Sequence, residues 1–155
     1  MPHSEKTHDD TIRRFLQDHF KFKRFVDIGP GAGKYGRMIR LTIPKARIVA
    51  VEAHYYYAQK FQLSKLYDEL FIARAEDYFF DPARADFEAD VVFMGDVLEH
   101  IRKSAGLDLV HYFAYRAKYQ IIVYPRRRRQ FSACQVGLPA HTMPPERPVS
   151  RCRQT

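Results

Sequence analysis

Val26-Asp27-Ile28-Gly29-Pro30-Gly31-Ala32-Gly33-Lys34-Tyr35-Gly36 is the stretch that decides the fold. An apolar run closes on three glycines within five residues, and a helix-forming run follows. Glycines after a strand let the chain turn tightly and let a ligand approach the backbone. The helix that follows presents N–H groups and a positive dipole end. In an open α/β sheet, ligands bind at the carboxyl ends of the strands.

Outward from this loop, short apolar runs alternate with helical stretches. Strands are expected at Phe25–Ile28, Arg47–Glu52, Leu70–Ala73, Asp90–Gly95 and Tyr119–Tyr124. Helices are expected at Lys34–Leu41, Tyr55–Tyr67 and over most of Val97–Lys118. Before the loop, Ile12, Phe15, Leu16, His19 and Phe20 recur at helical spacing. Thr7 is placed to cap that helix, with Asp9 and Asp10 in its first turn. Continuously apolar strands that alternate with helices predict a parallel sheet buried on both faces. The fold class is therefore α/β: a doubly wound, Rossmann-like sheet of five parallel strands. The chain divides into an N-terminal helix (1–23), a ligand-binding domain (24–125) and a tail (126–155).

Composition narrows the function classes. The chain has 155 residues, 46% hydrophobic and 14% aromatic, which suits one globular domain. No apolar run of about 18 residues predicts a membrane span. Met1–Asp10 lacks the apolar core of a signal peptide, so a cytoplasmic location is the default. The net charge is +8, but residues 126–155 contribute seven Arg and one acid, Glu146. The folded part is nearly neutral. The tail has four Pro and no Lys, whereas nine Lys precede it. Three readings of it stand: a solvated tail, a segment foreign to the fold as a shifted reading frame would produce, or a nucleic-acid-binding arm through Arg126–Arg129. Any nucleic-acid contact would fall to this tail. Cys134 and Cys152 match no zinc spacing and are expected to be free thiols.

Three ligand chemistries compete for the loop. A phosphate-binding G-x-x-x-x-G-K-[ST] loop is excluded, because Gly29 to Gly33-Lys34 is one residue short and Tyr35 replaces Ser/Thr. Gly31-Ala32-Gly33-Lys34-Tyr35-Gly36 satisfies the dinucleotide string G-x-G-x-x-G, but Gly29 already occupies the place after the strand. In register the pattern is G-x-G-x-G. Asp27 separates the remaining readings. A carboxylate in an apolar strand is costly unless hydrogen-bonded or near a cation. It would repel a pyrophosphate and attract a cationic ligand.

Val26-Asp27-Ile28-Gly29-x-Gly31-x-Gly33 resembles the first motif of class I S-adenosylmethionine-dependent methyltransferases. Glu52, 23 residues after Gly29 and followed by Ala53, resembles the acid that binds the ribose hydroxyls. Ala75-Glu76-Asp77 resembles the segment beside the adenine. Asp90-Val91-Val92-Phe93-Met94-Gly95-Asp96-Val97-Leu98-Glu99-His100 is similar to the fourth-strand motif, with Asp96 at the methionine end. The resemblance covers residues 24–125. It implies S-adenosylmethionine as cofactor, with Asp27, Gly29, Pro30, Gly31, Gly33, Glu52, Ala53, Glu76, Asp77, Gly95 and Asp96 around it. It implies methyl transfer to an acceptor that no motif identifies, and catalytic residues are not assigned. Two other functions stand beside it: a cofactor-binding or remnant domain without turnover, and, more distantly, an NAD-dependent oxidoreductase. Asp96, Glu99 and His100 form a D-x-x-E-H cluster, read here as structural and not as a metal site. Tyr55-Tyr56-Tyr57 is read as packing.

The family's fold normally closes with two more strands after the fifth. Here Pro125 is followed by no strand signal. The sheet is thus expected to end at its fifth strand, with an edge open to self-association.

Overall fold

The computed structural model describes residues 8–84 and 87–124. The elements are α1 (Asp9–Asp18), β1 (Arg24–Ile28), α2 (Lys34–Thr42), β2 (Arg47–Glu52), α3 (Tyr55–Lys60), β3 (Glu69–Ile72), α4 (Ala75–Phe79), β4 (Ala89–Gly95), α5 (Lys103–Ala114) and β5 (Ala117–Val123). The five strands form one sheet in the order β3-β2-β1-β4-β5, with every pairing parallel. The expected α/β class and sheet are what the chain forms. The order reverses between β1 and β4, so the glycine loop and the Gly95-Asp96 turn meet at the switch point.

The period-two alternation of strands distributes the core to both faces. Phe25, Ile48, Val91 and Phe93 pack with Ile12, Leu16, Met38, Ile39 and Leu63 on the α1–α2–α3 side. Val26, Ile28, Val92 and Met94 pack with Phe79, Leu109 and Phe113 on the α4–α5 side. β1, β2 and β4 are buried on both faces, as expected. β3 and β5 are only partly buried, because each has a single neighbouring strand. One face of β5 is partly covered by α1, where Phe15, His19, Phe22 and Tyr119 form a ring cluster with centroids 4.3–5.7 Å apart.

Two expected helices are shorter than their periodicity suggested. The Tyr55–Tyr67 helix stops at Lys60, and Gln62 takes a left-handed φ of 50° before a 3-10 turn at Leu63–Lys65. Past that break, Leu63 and Tyr67 are buried in the core. The Val97–Lys118 helix resolves into a 3-10 turn at Leu98–His100, extended residues Ile101 and Arg102, and α5. Lys118 belongs to β5. Phe20, expected on the apolar face of α1, follows the helix and is exposed. The Thr7 cap, both cysteines and all expectations for the tail lie outside the described residues.

No helix among the described residues is long and apolar enough to cross a membrane.

Candidate functional site

The glycine loop joins β1 to α2 at the carboxyl edge of the sheet. Gly29, Gly31 and Gly33 all have positive φ, at 63°, 53° and 77°. Two of them are also sterically required. A Cβ on Gly29 would lie 2.4 Å from Val97 Cγ2, and one on Gly33 would lie 2.8 Å from Leu66 Cδ2. The loop is therefore clamped from one side by the segment after β4 and from the other by the 63–67 turn.

The loop's three glycine N–H groups are committed within the protein. Gly29 N–H donates to Val51 O at 2.9 Å, and Gly33 N–H donates to Pro30 O at 2.7 Å. Gly31 N–H donates to Glu52 Oε2 at 3.1 Å. The other Glu52 oxygen accepts from His54 N–H at 2.8 Å. Glu52 is 3% exposed and braces the loop from the end of β2.

Asp27 is fully buried beneath the loop, on the α2 side of β1. Tyr67 Oη donates to its Oδ2 at 2.6 Å, and its Oδ1 has no hydrogen-bond partner among the described residues. Burial raises the Asp27 carboxyl to about 7, against the lowering effect of the Tyr67 hydroxyl and the Gly36 N–H; nearby Glu52 adds to the rise. Burial and the Asp27 carboxylate push the Tyr67 phenol well above its ordinary value. The structure thus resolves the puzzle of an acid in an apolar strand: a buried phenol, forty residues away in sequence, supplies its donor.

Across the switch point, Gly95 ends β4, and a Cβ there would lie 2.3 Å from the Tyr35 ring. Asp96 has a left-handed φ of 53°, strained for a residue with a side chain, and its N–H donates to Val123 O at 2.9 Å. Asp96 Oδ1 and Glu99 Oε2 are both sequestered without a hydrogen-bond partner among the described residues. His100 is exposed, and among the described residues no three His, Cys, Asp or Glu side chains are grouped to hold a metal.

Glu76 and Asp77 open α4, where neither caps the helix. Glu76 pairs with Arg74 at 3.2 Å. Glu76 and Asp77 line a cleft of about 430 Å³ with Phe80, Asp81, Arg102 and Asp108, between α4 and the start of α5. Pro30 is buried, Ala53 is exposed, and Tyr55 and Tyr56 are exposed instead of packed. The loop, Glu52 and the Gly95-Asp96 turn thus share the carboxyl edge of the sheet, with Asp27 beneath and Glu76 and Asp77 beside the cleft. Tyr67 and Arg102 were not singled out from the sequence. Tyr67 looked like a late position on a helix, and only its break from that helix exposes its role.

No family model and no curated protein matches this chain. Solved structures do. One is a presumed O-methyltransferase from Klebsiella pneumoniae, at a TM-score of 0.56 and 14% identity, covering 74% of this chain and 53% of that one. A second is an amino pentose methyltransferase from Micromonospora echinaspora, bound to SAM, at 0.51 and 14%, covering 71% and 46%. A third is a SAM-dependent methyltransferase from Archaeoglobus fulgidus, at 0.50 and 18%, covering 69% and 47%. The chain spans about half the length of these structures. Identities this low establish the fold: the five-stranded sheet and its flanking helices are a Rossmann-like arrangement shared with methyltransferases.

Proposed function

We propose that the chain binds S-adenosylmethionine at the switch point and serves a methyltransferase. One observation carries the reading. The three glycine N–H groups are already committed, Glu52 and Asp27 set carboxylates against the loop from β2 and β1, and the nearby Arg37 guanidinium is itself bonded to Ala32 O. Such a site suits a nucleoside bearing positive charge and disfavours a pyrophosphate. Structures of similar fold hold SAM or SAH, the demethylated product. Residues present here fit the cofactor. Glu52 would accept from the ribose hydroxyls, and Asp96, whose buried Oδ1 lacks a partner, would face the methionine end.

When bound, the cofactor supplies a methyl group on a sulfonium, already a good leaving group. This chain's contribution would be alignment: the clamped loop and the strained Asp96 turn hold their groups in place before binding. Turnover, as against binding alone, is read by formation of SAH with candidate acceptors.

Calorimetry of the full chain with SAM, SAH and NAD tests the reading. Micromolar binding of SAM or SAH, with none of NAD, is expected. NAD binding alone would overturn it. Glu52→Ala, in a variant shown to be folded, should weaken SAM binding by about 1–3 kcal/mol, the range for hydrogen bonds to a charged group.

A further inference from the structure

The buried Asp27–Tyr67 pair lies under the loop and within the core. The Tyr67 ring fills the space where a Gly36 Cβ would stand, with ring atoms 2.5–2.6 Å from that position. Gly36 is the third residue of α2, whose positive end stands over the loop. Tyr67 therefore touches two parts of the cofactor loop's support at once. Its ring sets how closely α2 approaches, and its hydroxyl donates to Asp27 at 2.6 Å. Leu63 and Leu66, from the same turn, pack where a Gly33 Cβ would be. The left-handed Gln62 starts this turn and aims all three side chains at the loop.

Resting on the cofactor reading above, we propose that Tyr67 is a positioning residue: through its hydroxyl it sets the charge on Asp27, and so makes binding of the cationic cofactor proton-linked. The groups that face Asp27 allow this. From β2 comes Glu52, a like charge, and Ala50 in register; from β4 the register partner is the apolar Phe93. From α2 come the Gly36 N–H and, acting on Tyr67, Arg37. No lysine or arginine bonds Asp27 among the described residues, so its proton is held only against a phenol and a peptide N–H. A ligand bearing a sulfonium and an ammonium favours the ionised form and expels that proton. SAH, which lacks the sulfonium charge, favours it less. The chain would then prefer SAM over its product increasingly as pH rises through neutrality.

The test is Tyr67→Phe in the full chain, which keeps the ring against Gly36 and removes the hydroxyl. Two readouts are needed. The first requires no cofactor: the carboxyl carbon shift of Asp27, followed by NMR in ¹³C-aspartate-labelled protein. It should titrate near neutrality in the wild type and at higher pH in Tyr67→Phe. The second is calorimetry with SAM and SAH from pH 5.5 to 7.5, where the ligands' own α-ammonium, which titrates near about 8, stays largely charged. Wild-type SAM affinity should rise with pH and release protons, measured in buffers of different ionisation enthalpy. In Tyr67→Phe the rise should move to higher pH, with a several-fold weaker affinity at pH 7. An unshifted Asp27 titration overturns the proposal, as does a loss of affinity equal at every pH, which marks a packing effect alone. If the Asp27 shift moves as expected but neither SAM nor SAH binds the wild type, the cofactor reading fails and the proton linkage to cofactor fails with it, while the Tyr67–Asp27 coupling stands.

Discussion

The two ends of the sheet treat their carboxylates in opposite ways. At the amino end, Asp90 Oδ2 accepts the N–H groups of Lys23 and Arg24 at 2.8 and 2.9 Å, and Oδ1 binds Lys118 Nζ at 2.6 Å. Burial pushes Asp90 up, but Lys118 and those two N–H groups outweigh it and hold the carboxyl below its ordinary value. Asp68 is similar: burial acts against it, and the Ile48 N–H and Arg40 win. At the carboxyl end, Asp27 has a phenol for a partner, and Asp27 and Asp96 each keep an oxygen without a hydrogen bond among the described residues. One end spends its carboxylates on stability. The other gives Glu52 two backbone N–H groups but leaves Asp27 and Asp96 short of donors, a cost that makes physical sense where a ligand is to supply them.

The contrast can be broken most sharply by pH. Asp27 is raised from 3.8 to about 7, so the folded state holds a proton that the unfolded state has lost. Stability from this group is present at low pH and drains away as pH rises from about 4 to 7. At 1.36 kcal/mol per unit, the change is on the order of 4 kcal/mol. Asp27→Asn should flatten the fall in denaturant-measured stability between pH 5 and pH 8; equal slopes in both proteins would show that Asp27 does not titrate there.

A smaller effect is expected at the other end. Asp90→Ala strips two backbone donors and a lysine of their acceptor, and should cost about 3 kcal/mol at neutral pH. The sign of its pH dependence is opposite. Asp90 is lowered, so its contribution is present above the unfolded value and is lost as pH falls through the folded one. Chemical denaturation at pH 7 and pH 3 should show the variant and wild type converging in acid. A cost that grows in acid would contradict the clamp.

The least effect belongs to the surface. Arg47 and Glu69 pair at 2.5 Å across β2 and β3 but are solvent-exposed. Glu69→Ala should cost no more than about 1 kcal/mol in thermal or denaturant melts. A loss matching Asp90→Ala would show that ion pairing at this end works by charge alone, not by its bonds to the backbone.

Much of this was legible beforehand because strands and glycine turns are local. β2 runs over the expected residues, Arg47–Glu52, since its apolar run is bounded by charge at both ends. The three glycines announced positive φ because few other residues tolerate it. The helix over 55–67 was misjudged because period alone does not register a break. Leu63 and Tyr67 keep helical spacing, yet the chain leaves the helix before Gln62 and both are buried beyond it. The same holds at Ile101 and Arg102, extended residues inside a run that reads as helical.

By itself, then, the sequence determined the parallel α/β sheet, the loop at its switch point and the acids at the ends of β1, β2 and β4. These follow from alternation, apolar runs and glycine spacing, all of which act within a few residues. Tertiary structure alone decided what each acid meets. Asp27 finds Tyr67 forty residues on, Glu52 reaches back to Gly31, and Asp90 gathers Lys23, Arg24 and Lys118 from two neighbouring strands. Whether a carboxylate is held charged or kept protonated depends on how deeply the fold buries it and on those distant partners: Asp27 is fully buried with a phenol as donor, whereas Asp90 and Asp68 lie nearer solvent, each beside a cation and backbone N–H groups.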